Sequence, residues 1–191
     1  MKRLLGCVLI ALALIGIAIG QKKPIGQKKP KVVDGIVSSR DEPLQVTWFV
    51  HKKIPSVKSH EGLLRADTFS WRCYPIASQS FNGDQKRMLL KIQLDGPGSW
   101  STDSVVIFTV DGELTEVAIN YGTVTSFTTL GGNRGVEITL HNQELLITRF
   151  TTAKEVWVTL PDANSGGRRS IKLSEPQLQI FRELVERYKS L

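Results

Sequence analysis

With 191 residues, 41% of them hydrophobic and 23% charged, the chain is too apolar for a disordered protein and long enough to bury a core of its own. Its formal charge of +7 suggests nucleic acid only until the charge is located: seven of the 25 basic residues (Lys2, Arg3, Lys22, Lys23, Lys28, Lys29 and Lys31) precede the first acid, Asp34, and the remaining 18 meet 18 acids. Phosphate binding needs positive charge concentrated on the face that meets the duplex, so a basic tail on a neutral body excludes nucleic acid as the body's partner.

Leu4 to Gly20 is a run of 17 residues without a charge, preceded by Lys2 and Arg3 and closed by Ala18-Ile19-Gly20. A cationic stretch, an apolar stretch and a small-x-small end are the order of a secretory signal peptide. At ~1.5 Å per residue the run reaches roughly 25 Å, the short limit for crossing a bilayer, so residues 1–20 are read as a signal peptide or an N-terminal membrane anchor. Leu4-Leu5-Gly6-Cys7 has the residue types of a lipobox but comes before the apolar region instead of after it, so Cys7 is read as an apolar member of the segment.

Residues 21–43 are read as a Lys/Pro-rich tether and linker. Gln21-Lys22-Lys23-Pro24 recurs as Gln27-Lys28-Lys29-Pro30, followed by Lys31. Each proline biases its predecessor toward extended backbone, and lysine repulsion stretches the segment further. Lys22, Lys23, Lys28, Lys29 and Lys31 suit anionic lipid headgroups, at ~1 kcal/mol for each lysine near the surface. The expected localisation is exported: periplasmic, secreted, or anchored to the inner membrane by an uncleaved segment, with residues 4–20 then in contact with lipid.

Residues 44–191 are expected to form a single, mainly β domain, an antiparallel sandwich or barrel-like structure with one C-terminal amphipathic helix. Runs rich in β-branched and aromatic residues predict strands at Val46–Val50, Phe69–Ile76, Met88–Leu94, Val105–Val110, Leu114–Tyr121, Thr123–Leu130, Val136–Leu140, Glu144–Phe150 and Glu155–Leu160. Asp111-Gly112 predicts a tight hairpin, because both residue types accept the positive φ of a type I′ turn. Asn82-Gly83, Gly131-Gly132-Asn133 and His141-Asn142 mark further reversals. A helix over 175–190 follows from Leu178, Phe181, Leu184, Val185, Tyr188 and Leu191 at helical spacing, from Ser174 and Gln177 as a capping box, and from Pro176 in the first turn.

No motif implies a cofactor, a metal or a catalytic group. His60-Glu61 fails as H-E-x-x-H at Leu64, and neither a G-x-S-x-G elbow nor a G-x-x-x-x-G-K loop is present. Cys73 is the one cysteine outside the apolar segment, so the body has no internal disulfide; strand alternation places Cys73 with Phe69 and Trp71 on a core face. Arg168 and Arg169, after Gly166-Gly167, offer two guanidinium groups to an anion or sit in a solvated turn. Trp48 and Trp71 fall in apolar runs and read as core. Trp100 lies in a loop of turn residues, and Trp157 shares its strand face with Glu155 and Thr159, opposite Val156, Val158 and Leu160. Trp100 and Trp157 are therefore the candidate anchors for a protein or glycan partner.

The order of signal or anchor, tether, antiparallel β domain and terminal helix resembles the plan of small exported bacterial proteins, such as invasion-associated-locus-B-type and type VI secretion accessory proteins. The likeness is one of plan, and no residue role is carried over from it. The expected function is a non-enzymatic accessory domain of the cell envelope. The alternative is an extracytoplasmic hydrolase whose site assembles only in three dimensions, with His51, His60 and nearby carboxylates as its members.

Overall fold

A computed structural model describes residues 31–61, 67–96, 105–120, 124–128, 134–162 and 167–191. Strands account for 59% of the structure, which places it in the mainly β class. In chain order the elements are β1 (Lys31–Val33), β2 (Ile36–Asp41), β3 (Val46–His51), β4 (Val57–Glu61), β5 (Asp67–Ser80), β6 (Lys86–Gly96), β7 (Val105–Val110), β8 (Glu113–Ala118), β9 (Val124–Thr128), β10 (Arg134–His141), α1 (Glu144–Thr152), β11 (Val156–Pro161), β12 (Arg168–Lys172) and α2 (Glu175–Lys189).

They form two antiparallel sheets. The first runs β1-β2-β3-β5-β6-β10-β9, with β4 also paired to β5, and the second runs β12-β11-β7-β8. Sequence neighbours pair where the turn chemistry is strong: Asp111 (φ 50°) and Gly112 (φ 86°) join β7 to β8, and Asp34 (φ 49°) and Gly35 (φ 77°) join β1 to β2. Asp111 also carries a tertiary contact, since its Oδ1 accepts the backbone N–H groups of Lys154 at 2.9 Å and Glu155 at 2.8 Å. The hairpin turn thereby holds the start of β11.

Period-2 alternation gives the central strands of the first sheet an apolar face, on which Trp71, Leu94 and Val136, then Cys73, Ile92 and Ile138, then Pro75, Leu90 and Leu140, lie in cross-strand rows. The helices pack on that side. Gln79, in the same alternation as Ala77, donates from Nε2 to the Leu191 carbonyl at 3.2 Å, and the Arg187 guanidinium lies over the Phe49 ring. The second sheet buries Val106, Phe108, Val110, Val156, Val158, Leu160 and Ile171 in the same continuous core. Phe150 of α1 joins the parts: its ring centroid is 5.6 Å from that of Phe108 in β7 and 5.2 Å from that of Phe181 in α2.

Three segments differ from the sequence expectation. Glu144–Phe150, predicted as a strand, is helix α1, because Leu146, Ile147 and Phe150 at helical spacing fill the junction of sheets and helix. The β-branched Ile147, Thr148, Thr151 and Thr152 favour a strand locally, and the gain from burial overrides that preference. Lys31–Asp41, read as tether and linker, forms β1 and β2. Arg168 and Arg169 lie in strand β12 and not in a solvated turn. The C-terminal helix has the expected capping box, with the Ser174 N–H donating to Gln177 Oε1 at 3.0 Å and Pro176 in the first turn.

Phe150→Ala should cost about 3–5 kcal/mol, since it empties a fully buried aromatic position between three elements. Urea denaturation followed by far-UV circular dichroism measures it, and a loss below about 1 kcal/mol would contradict the joining role.

Candidate functional site

Trp157 points outward because Val156, Val158 and Leu160 claim the core side of β11. Pairing sets its neighbours: Lys172 of β12, Trp157, Thr109 of β7 and Leu114 of β8 form one row across the outer face of the second sheet. Ser170, Thr159, Ile107 and Glu116 form the next row. Trp157 is 37% exposed and Leu114 59%, so the row carries two open apolar groups on a face otherwise made largely of hydroxyls and charges.

The indole is held in place. Its Nε1–H donates to Glu155 Oε1 at 2.8 Å, and the same oxygen is 2.7 Å from Lys172 Nζ. Thr159 and Ser170 hydroxyls are hydrogen-bonded at 2.7 Å beside it. An aromatic with a fixed rotamer loses little conformational freedom when a partner covers it.

The other predicted residues distribute as follows. Arg168 is exposed on β12, whereas Arg169 is turned inward with its guanidinium 3.9 Å over the Phe69 ring. Neighbours on a strand face opposite ways, so the two arginines do not converge on one anion. The Phe69 ring also fills the space above Gly96, where an added Cβ would lie 2.2 Å from Phe69 Cδ1. Trp100, Lys22, Lys23, Lys28 and Lys29 lie outside the described residues, and Lys31 begins β1. Trp71 is buried with its Nε1–H donating to Ser59 Oγ at 3.0 Å, and Trp48 is half-buried, with its Nε1–H 3.4 Å from Asp41 Oδ2.

Of the groups a hydrolase would use, the structure describes the side chains of His51, which is engaged, and of Cys73, which is buried. His51 Nδ1 lies 2.7 Å from the Lys53 carbonyl and Nε2 2.8 Å from Glu183 Oε2 of α2, so the ring bridges β3 to the C-terminal helix. His60 sits in β4 opposite Thr68 of β5. Burial pushes the Cys73 thiol well above its ordinary pKa, which removes the thiolate a nucleophile requires. Among the described residues no group of three or more His, Cys, Asp or Glu side chains is placed to hold a metal.

The sequence reading missed a polar band on the face of the first sheet opposite the helices. Arg72, Gln93, Glu137 and Thr125 form one cross-strand row, and Tyr74, Lys91 and Thr139 form the next. Lys91 and Gln93 both donate to the Glu137 carboxylate. Burial, then the Glu137 charge, pushes the Tyr74 hydroxyl above its usual range. Lys91, Gln93 and Asp95 at period 2 in an apolar run were the available signal. Beyond Thr139, residues of β10 and the β8 end line a cleft of about 210 Å³: Ala118, Asn120, Thr139, Leu140, His141, Asn142 and Gln143.

No family model matches the chain, and no curated protein matches it either.

The Glu155 carboxyl is held below its ordinary pKa by the hydrogen bond from Lys172 first and from Trp157 second. A depressed carboxyl contributes stability that is present above its unfolded pKa and lost as pH falls through the folded value. The indole contact should therefore hold at neutral pH and release only in acid. Carboxyl titration by NMR should place Glu155 below free Glu, and Lys172→Met should raise it; an unchanged midpoint in that variant would contradict the assignment.

Proposed function

We propose that this chain is an exported or membrane-tethered envelope domain that binds a protein or glycan partner in an accessory role. The observation that carries the reading is Trp157, an immobilised aromatic open to solvent on a regular sheet face. Tryptophan is prominent among the residues that anchor interfaces, because one ring buries a large area while its N–H keeps a polar contact. The neutral body supports the same reading, since recognition there depends on shape and aromatic contact more than on net charge.

The N-terminal region supplies the compartment. Residues 4–20 have the order of an export signal and Lys22, Lys23, Lys28, Lys29 and Lys31 would meet anionic headgroups if the segment is retained. Among the described residues no helix is long and apolar enough to cross a membrane.

Trp157→Ala should weaken capture of envelope protein or glycan by the full chain about tenfold and leave it folded, with a melting temperature lowered by no more than a few degrees, because the side chain is not part of the core. Unchanged capture with Trp100 and Trp157 both replaced by Ala would remove the tryptophan assignment. Export is tested separately by fractionation with N-terminal sequencing. A start at Gln21 outside the cytoplasm means cleavage, intact Met1 in membranes with a protease-accessible body means an anchor, and a cytoplasmic body overturns the envelope reading.

A further inference from the structure

We infer that the outer face of the second sheet and the cleft at the end of β8 form one extended site for a neutral oligosaccharide; this rests on the proposed envelope-binding reading and narrows its partner to a glycan. Ala118, which lines the cleft, lies in the same outward alternation of β8 as Leu114, the residue that ends the Trp157 row. Ala118 is four positions on from Leu114, about 13 Å along the strand, and Trp157 lies two strands from Leu114, about 10 Å across the sheet. A short oligosaccharide covers that span and a monosaccharide does not.

The chemistry of the cleft selects the ligand. Thr139, His141, Asn142 and Gln143 present a hydroxyl, an imidazole and amides, and among the described residues no carboxylate, ammonium or guanidinium side chain lines the cleft. Such a set both donates and accepts, as sugar hydroxyls do, while an ion placed there would lose water without gaining a counter-charge. Thr139, His141 and Asn142 make no side-chain hydrogen bond among the described residues, so their capacity is open to a ligand. At about 210 Å³ the cleft is smaller than a pocket for a drug-sized molecule and takes one ring, leaving the following units on the open face. Trp157 then offers its ring to the apolar C–H face of a sugar.

The composition of the face favours a glycan over a globular protein. A stable protein interface needs about 800 Å² per partner with an apolar centre. Among the described residues, Trp157 and Leu114 are the large apolar side chains exposed on this face.

The test titrates the full chain with chitotriose, cellotriose, maltotriose and mannotriose and with the matching monosaccharides, reading the Trp157 indole and Asn142 backbone N–H signals by NMR. One trisaccharide should shift both signals with a single Kd, at least about tenfold tighter than its monosaccharide. Raising salt from about 50 to about 500 mM should leave that Kd within about twofold, because no ion pair forms. Trp157→Ala, Thr139→Val and Asn142→Gly should each weaken binding about tenfold with a melting temperature lowered by no more than a few degrees; glycine accepts the positive φ of Asn142 (56°), so the backbone is preserved. Silence across all four sugars, separate Kd values for the two signals, or a steep salt dependence would each overturn the inference. If no sugar binds yet Trp157→Ala still weakens capture of an envelope protein, the glycan assignment falls and the broader reading stands. If neither occurs, both fall.

Discussion

Phe150 packs at an angle against two rings from different elements, Phe108 and Phe181, and through them ties the second sheet to the helix that covers the first. Phe108 belongs to the second sheet and Phe181 to the helix that covers the first, so the three rings join elements that backbone hydrogen bonding does not link. Each tilted or edge-to-face pair adds roughly 0.5–1.5 kcal/mol beyond the area it buries. A helix of 15 residues is marginal in water alone, and a capping box adds about 1 kcal/mol, so α2 persists because Leu178, Phe181 and Leu184 have a core to enter.

That arrangement decides which surfaces remain open to partners. Helices cover one face of the first sheet, which leaves its other face to the Arg72, Tyr74, Lys91, Gln93 and Glu137 band, where Lys91 pairs with Glu137 and Gln93 bonds both Arg72 and Glu137. The second sheet spends Val156, Val158 and Leu160 on the shared core and keeps Trp157 outside. Within the second sheet, the carboxylate of Asp111 in the β7–β8 turn fixes the residues just before β11, and Glu155 among them then fixes the indole. A turn residue and a surface aromatic are thus connected through one backbone segment, so the platform inherits the rigidity of the hairpin.

Much of this was legible where local chemistry and tertiary packing agree. Asp111-Gly112 specifies its turn, Ser174 with Gln177 specifies the start of α2, and alternation in β11 places Trp157 outward without knowledge of any other strand. Asp34-Gly35 carries the same turn chemistry, but the flanking runs are short and follow a Lys/Pro-rich stretch, so β1 and β2 read as linker until the first sheet supplies partners for them. α1 is the opposite case: its side chains prefer a strand and its position demands a helix. The cleft was illegible for a different reason. It joins Ala118 and Asn120 to residues 139–143 across the passage between sheets, and periodicity within a strand says nothing about which strand ends meet.

The two parts of the chain differ in how charge acts in them. In the body, Lys91 with Glu137, Arg149 with Glu113, Lys172 with Glu155, Arg182 with Glu175 and Lys189 with Glu186 are neighbouring opposite charges, so little field extends outward. In the first 31 residues seven basic groups have no acid among them to offset their charge. Salt screens exposed charges beyond about 8 Å at physiological strength, so under the proposed reading attraction of the tether to anionic headgroups weakens as salt rises. Contact through Trp157 and neutral polar groups does not depend on that field. Under that reading attachment and recognition answer to different forces, and the +7 of the whole chain describes the first of them only.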